Sequence, residues 1–333
     1  MAGMARLLVI QPAFLGDAIL TLPLLGQLRQ HFPQTEIHYL VRAGIEPLLE
    51  GHPWITQTWS WDKTWQGWLH LFSALRQYQW ESIIVVQRFF RMGLLGRLLP
   101  AKVYITYEKN PLSCLYTHRV RHAFQPGLHE TQRVLSLLAP LGLPTEVPPP
   151  PWLFPSQEVQ ARVRLWAEQQ PYIVIAPASR WPTKEAPFSL WGHFLEKIPP
   201  HYTIYLVGTR EEAPRFAPLL AHHPKVHNIA GQLSLLEVAA LLQKAERAFT
   251  VDSAITHLAS AVGCPTTTVF CSTVPAFGFG PLAPKSQVVE PPFPLACRPC
   301  GLHGKKACPQ GHFRCGTSLS PEPLLQSLTE APL

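Results

Sequence analysis

Short apolar runs alternate along the chain with stretches whose apolar residues recur every three or four positions. Residues 7–10, 36–41, 82–86 and 102–106 read as strands. Helices are predicted over 17–31 and 129–138. Continuous apolar strands set between helices indicate a parallel sheet covered on both faces. Residues 144–155 hold six prolines in twelve, which excludes a helix or central strand there and predicts a stiff extended linker. Beyond it the pattern restarts. Strands are predicted at 172–176, 203–207, 226–229, 248–251 and 267–271, with helices at 156–168, 212–222, 234–244, 253–262 and 321–328. The expected class is α/β, with two doubly wound parallel-sheet domains spanning 1–150 and 151–333. Ligands in such sheets bind beyond the carboxyl ends of the strands, so two facing rims across a cleft are expected.

Composition narrows the function. The 333 residues are 47% hydrophobic and 15% charged, which excludes a disordered or acidic solvating chain. The formal charge of +7 favours anionic partners. Residues 7–28 are apolar enough to suggest a signal peptide or anchor, but Asp17 lies inside the run and Pro12 and Pro23 interrupt it. The expectation is a cytoplasmic chain without a transmembrane segment that works at the membrane face. Seven cysteines in this length do not make a disulfide scaffold.

Three loops that follow predicted strands hold candidate chemistry. The first, 11–17, ends in Gly16-Asp17; Asp17 suits either a helix cap or a general base on the rim. The second, 178–184, carries Ser179, Thr183 and Lys184, a donor set that suits phosphate oxygens. The third, 251–259, crowds Asp252, Ser253, Thr256 and His257 around a helix start, where the helix dipole favours a diphosphate. Glu211 and Glu212 follow strand 203–207 and suit sugar hydroxyls or a charged first turn. Phe277-Gly278-Phe279-Gly280 allows a close backbone approach to a ligand. Neither GxGxxG nor a Walker loop is present, which disfavours a nicotinamide enzyme or a P-loop NTPase.

Taken together these residues resemble glycosyltransferase family nine, the heptosyltransferases of lipopolysaccharide inner-core assembly. The resemblance rests on Gly16-Asp17 with Leu22-Pro23, Trp181 with Thr183-Lys184, Asp252 with His257-Leu258-Ala259, and His129-Glu130 with Arg133. It implies a GT-B fold, with the acceptor on the first Rossmann-like domain and the nucleotide sugar on the second. It also implies inversion at the anomeric carbon with no cofactor and no catalytic metal. Asp17 would be the base. Ser179, Thr183 and Lys184 would hold the diphosphate of ADP-heptose, and Asp252 would contact the donor beside Ser253, Ala254, Thr256 and His257. Glu211 or Glu212 would hold the ribose. Arg88 and Arg91, just past strand 82–86, would meet an anionic lipid A–Kdo acceptor. The chain departs from the family at Glu185-Ala186, at Ala254 and at Cys271-Ser272-Thr273.

Cys297, Cys300, Cys308 and Cys315 cluster in a loop-rich tail, 297–315, with His303 and His312 nearby. A structural zinc, two disulfides and four free thiols are all compatible with this spacing. The rival readings are a family-nine transferase that uses a different nucleotide sugar and a zinc-ribbon nucleic-acid binder. Dispersed basic residues and the lack of an aromatic RNA-binding pattern argue against a nucleic-acid partner.

Overall fold

The computed structural model describes residues 5–329. The chain divides into two compact units, Met1–Phe154 and Pro155–Leu333. The first contains β1 (Arg6–Ile10), α1 (Leu15–His31), β2 (Glu36–Arg42), β3 (Gln57–Trp61), α2 (Trp65–Leu75), β4 (Trp80–Val85), α3 (Phe90–Leu98), β5 (Ala101–Tyr107), β6 (His118–Val120) and α4 (Glu130–Leu135). All its strands are parallel, in the order β3-β2-β1-β4-β5-β6. Leu8, Ile10, Ile83 and Val85 pack one sheet face against Trp61, Trp68, Leu71, Trp80 and Leu95.

The second unit contains α5 (Gln157–Arg162), α6 (Arg164–Ala167), β7 (Tyr172–Ala176), α7 (Phe188–Lys197), β8 (Thr203–Leu206), β9 (Val226–Asn228), α8 (Leu235–Lys244), β10 (Arg247–Val251), α9 (Ala254–Ala261), β11 (Thr266–Val269), β12 (Gln287–Val289), α10 (Arg314–Thr317) and α11 (Glu322–Thr329). Read from its far edge, this sheet runs β9-β8-β7-β10-β11-β12 and is also parallel throughout. Each unit therefore repeats the Rossmann strand order. The order reverses between β1 and β4 in the first unit and between β7 and β10 in the second. In each unit taken by itself, the loops leaving the carboxyl ends of that pair flank a crevice where the order reverses.

Several elements differ from the sequence expectation. β3, α2, α3, β6, α7 and β12 lie in stretches where no element was expected. The helix expected at 212–222 is a run of 3-10 turns, Ala213–His222, with Pro214 and Pro218 preventing α-helical bonding. The one expected at 156–168 breaks at Val163 into α5 and α6. Helix α1 begins at Leu15, so Asp17 is its third residue and not its cap. The proline-rich linker does not run free along its length. Trp152 is fully buried, its indole N–H donating to the carbonyls of Pro148 and Pro149, and its own carbonyl meets His52 Nε2 at 2.9 Å.

Candidate active site

In the first unit the crevice is flanked by the β1–α1 and β4–α3 loops, which carry Asp17 and Arg88. The first turn of α1 is fixed from three sides. Asp17 Oδ2 accepts the Phe14 N–H at 3.3 Å, the Thr21 hydroxyl donates to the Asp17 carbonyl, and the buried Tyr39 hydroxyl donates to the Ala18 carbonyl. Burial pushes the Asp17 carboxyl up to about 6, and repulsion from Glu130 adds to this. The Phe14 amide and the Arg88 guanidinium oppose it. Above that pH Asp17 is a carboxylate with unusual appetite for a proton, as a general base requires. Glu130 reaches this neighbourhood from α4, which packs on α1. It pairs with Arg133 at 2.7 Å and approaches the buried His122 at 4.0 Å. Only the family motif had drawn attention to Glu130; its electrostatic role depends on packing between helices far apart in sequence. Arg88 is exposed. Arg91 is partly committed, donating to the Lys63 carbonyl and stacking over Trp65 at 4.7 Å.

In the second unit the crevice is flanked by the loops after β7 and β10. Lys184 Nζ lies 2.7 Å from Asp252 Oδ2, and the buried Thr273 hydroxyl donates to the same oxygen at 2.6 Å. The Ser179 hydroxyl reaches across to the Asp252 carbonyl at 3.4 Å. Ser253 caps α9, and its Oγ is buried without a hydrogen-bond partner among the described residues. An ammonium, a hydroxyl and a helix N-terminus thus meet at one point, an arrangement that can take up negative charge.

Some expected contacts face elsewhere. The Thr183 hydroxyl is 2.7 Å from the Lys305 amide, 3.1 Å from the Lys305 carbonyl and 3.0 Å from Ser272 Oγ. These bonds tie Thr183 to the tail and hold the shape of the loop after β7. Thr256 is fully buried, with Oγ1 bonded to the Val251 carbonyl and the Thr250 hydroxyl. It closes the core side of α9. Glu212 Oε2 accepts the Thr209 N–H at 2.8 Å, leaving Glu211 as the exposed acid of that pair. Ala254 begins α9 and His257 is 5% exposed, its ring 6.2 Å from that of Phe279.

The family departures at Glu185 and Cys271-Ser272-Thr273 complete the site. Glu185 accepts the Ser179 N–H and pairs with Arg215, holding the loop after β7. Sequence reading missed Lys305, Gly304 and Arg298. Arg298 donates to the carbonyls of Phe270, Cys271 and Thr273 and to Glu290, bolting the cysteine-rich tail onto the end of β11. No motif signals this, because the acceptors are backbone.

None of the four tail cysteines is disulfide-bonded. Burial pushes Cys315 up to about 11, and the nearby thiols of Cys300 and Cys308 add to the shift. Cys297 Sγ faces His312 Nε2 at 3.8 Å, while Cys300 Sγ points to the Cys297 carbonyl. Cys315 packs in the hydrophobic cluster of the second sheet. No three His, Cys, Asp or Glu side chains among the described residues converge as a metal-ion set. The thiols of Cys297, Cys300, Cys308 and Cys315 act on one another electrostatically, so the four lie close together, and with no disulfide among them the cluster is compatible with zinc ligation or with free thiols.

Two Rossmann units, each with polar groups at its switch point, define a GT-B glycosyltransferase fold. The chain belongs to glycosyltransferase family 9 (heptosyltransferase), whose profile matches residues 68–306. It is 25% identical to lipopolysaccharide heptosyltransferase 1 of Pseudomonas aeruginosa over 91% of this chain and 87% of that protein. The solved structure of the Escherichia coli ADP-heptose lipopolysaccharide heptosyltransferase II superposes with a TM-score of 0.78 at 19% identity, covering 97% of both chains. E. coli heptosyltransferase WaaC, solved with ADP-2-deoxy-2-fluoro heptose, gives 0.74 at 19% identity over 98% of this chain and 99% of that one. Among the described residues no helix is long and apolar enough to cross a membrane.

Proposed function

We propose that this chain transfers heptose from ADP-L-glycero-β-D-manno-heptose to the lipopolysaccharide inner core, at the cytoplasmic membrane face, with inversion at the anomeric carbon. The first unit holds the acceptor and the second the donor. Asp17 takes the proton from the acceptor hydroxyl as its oxygen bonds to the anomeric carbon, and the bond from that carbon to the diphosphate oxygen breaks. The charge gathering on departing ADP is met by Lys184 and the start of α9, with Ser179 and Ser253 as neutral donors; this reading needs no metal. Arg88 and Arg91 meet the anionic acceptor, and Glu211 suits the ribose hydroxyls.

The observation that carries this reading is the Lys184–Asp252–Thr273 cluster at the β7/β10 switch point. Asp252 holds the ammonium in place, and Thr273 holds Asp252. ADP, whose diphosphate is present in the leaving group, is the probe. Calorimetric titration at near-physiological salt should show ADP binding selectively over GDP and UDP, and Lys184→Ala should weaken it by about tenfold or more. Equal affinity for all three nucleotides, or an unaffected Lys184→Ala variant, would overturn the donor assignment.

A further inference from the structure

Large apolar side chains left in water singly are ordinary, but several gathered in one place ask for something to cover them. The first unit has such a gathering. Phe14 is 50% exposed in the β1–α1 loop, Trp65 51% and Leu69 58% one turn apart on α2, and Phe89 71% and Phe90 48% at the start of α3. They form one patch. Lys63 Nζ lies 5.4 Å over the Phe14 ring, Arg91 lies 4.7 Å over Trp65, and Arg91 donates to the Lys63 carbonyl at 3.1 Å. Phe89 and Phe90 sit between Arg88 and Arg91 in the chain. Three cations are thus interleaved with the rings. Two acids adjoin these cations: Asp62, which precedes Lys63 and accepts from the amide and hydroxyl of Thr64, and Asp17, whose carboxyl feels the Arg88 guanidinium. The patch comes from the loops beyond the carboxyl ends of β1, β3 and β4 and from the first turns of α2 and α3, and it adjoins Asp17 through the Phe14 N–H.

We propose that this patch docks the first unit onto an anionic lipid bilayer. The rings and Leu69 enter the boundary between headgroups and acyl chains, while Lys63, Arg88 and Arg91 meet lipid phosphates. Amphipathic rings favour that boundary, and each basic side chain near an anionic leaflet adds attraction. Protruding side chains from three separate loops and the helices that follow them suit a fluid surface that adapts to them. Docking there sets the Asp17 rim at the leaflet, where a lipid-linked acceptor is presented. The inference deepens the proposed function, yet its test does not depend on catalysis.

The test is co-sedimentation of the full chain with vesicles at near-physiological salt. Vesicles of equal parts phosphatidylcholine and phosphatidylglycerol should carry the protein down, and pure phosphatidylcholine vesicles should retain about tenfold less. The double variant Leu69→Ser, Phe89→Ser should bind the mixed vesicles about tenfold or more weakly, keeping the wild-type thermal midpoint and ADP affinity. Failure to pellet with anionic vesicles, or equal pelleting of wild type and variant, would overturn the proposal. Vesicle binding that behaves as stated in a protein that ignores ADP would remove the donor assignment and leave the docking surface standing.

Discussion

Ionising Asp17 is costly where it sits, because burial and Glu130 both favour its protonated form. The sign of the consequence follows from linkage. The unfolded carboxyl titrates near 3.8 and the folded one near 6, so stability falls as pH rises between these values and stays reduced above them. Asp17→Asn keeps an acceptor for the Phe14 amide and removes the charge. It should stabilise the protein at pH 7 by up to about 3 kcal/mol and leave it unchanged near pH 3, as read by denaturant titration at both pH values. The same variant should lower transfer by a factor of about 10²–10⁴, and wild-type kcat/KM should climb with pH to a plateau above about 6. Across the other unit, Thr273 is the residue whose loss isolates the anion site. Thr273→Val removes the 2.6 Å bond to Asp252 while nearly keeping the volume. ADP affinity should drop by about fivefold or more at a stability cost of about 1–2 kcal/mol, measured by calorimetry and thermal melting.

At the scale of elements, the loops that carry chemistry were legible as loops, because each follows a clean apolar strand such as residues 7–10 or 172–176. What those loops touch was not. Thr183 reads as a phosphate donor by type and spacing, and only the arrival of Lys305, far along the chain, ties its hydroxyl to the tail. The elements that escaped notice have physical reasons too. β3 alternates aromatic and polar residues in QTWSW at a sheet edge, and β6 and β12 are three residues each. The tail shows how tightly a loop can be tied to a site. Gly304 has φ +76°, and a Cβ there would lie 3.1–3.2 Å from Lys184 Cγ, Thr183 Oγ1 and Trp181 Cβ. Gly304→Ala should therefore cost about 1–2 kcal/mol and weaken ADP binding. Gly280→Ala, with nothing within 4 Å of the added methyl, should melt at or slightly above the wild-type temperature.

Over the whole molecule, two copies of one strand order bring the loops with Asp17 and Arg88 to one switch point and those with Lys184 and Asp252 to the other, while Glu211 and Glu212 follow β8, one strand away. The stretch that joins the copies behaves less simply than its prolines suggest. His52 is buried against the Trp152 carbonyl, and burial lowers its pKa from 6.5 to about 4. The stability gained from neutral His52 is present above pH 6.5 and is lost as pH falls through about 4. Amide exchange at residues 152–154 should accordingly exceed its intrinsic acid dependence as pH drops through that window. Unchanged protection of Trp152 would contradict it. The clasp between Thr183 and Lys305 carries a consequence in time. The two residues are 122 positions apart, and everything needed for β7 and its loop is synthesised long before the segment that holds that loop in shape. A growing chain can thus fold its first sheet, and much of its second, while the anion site still lacks a wall. Competence for nucleotide would be acquired once residue 305 has been made and not gradually before it.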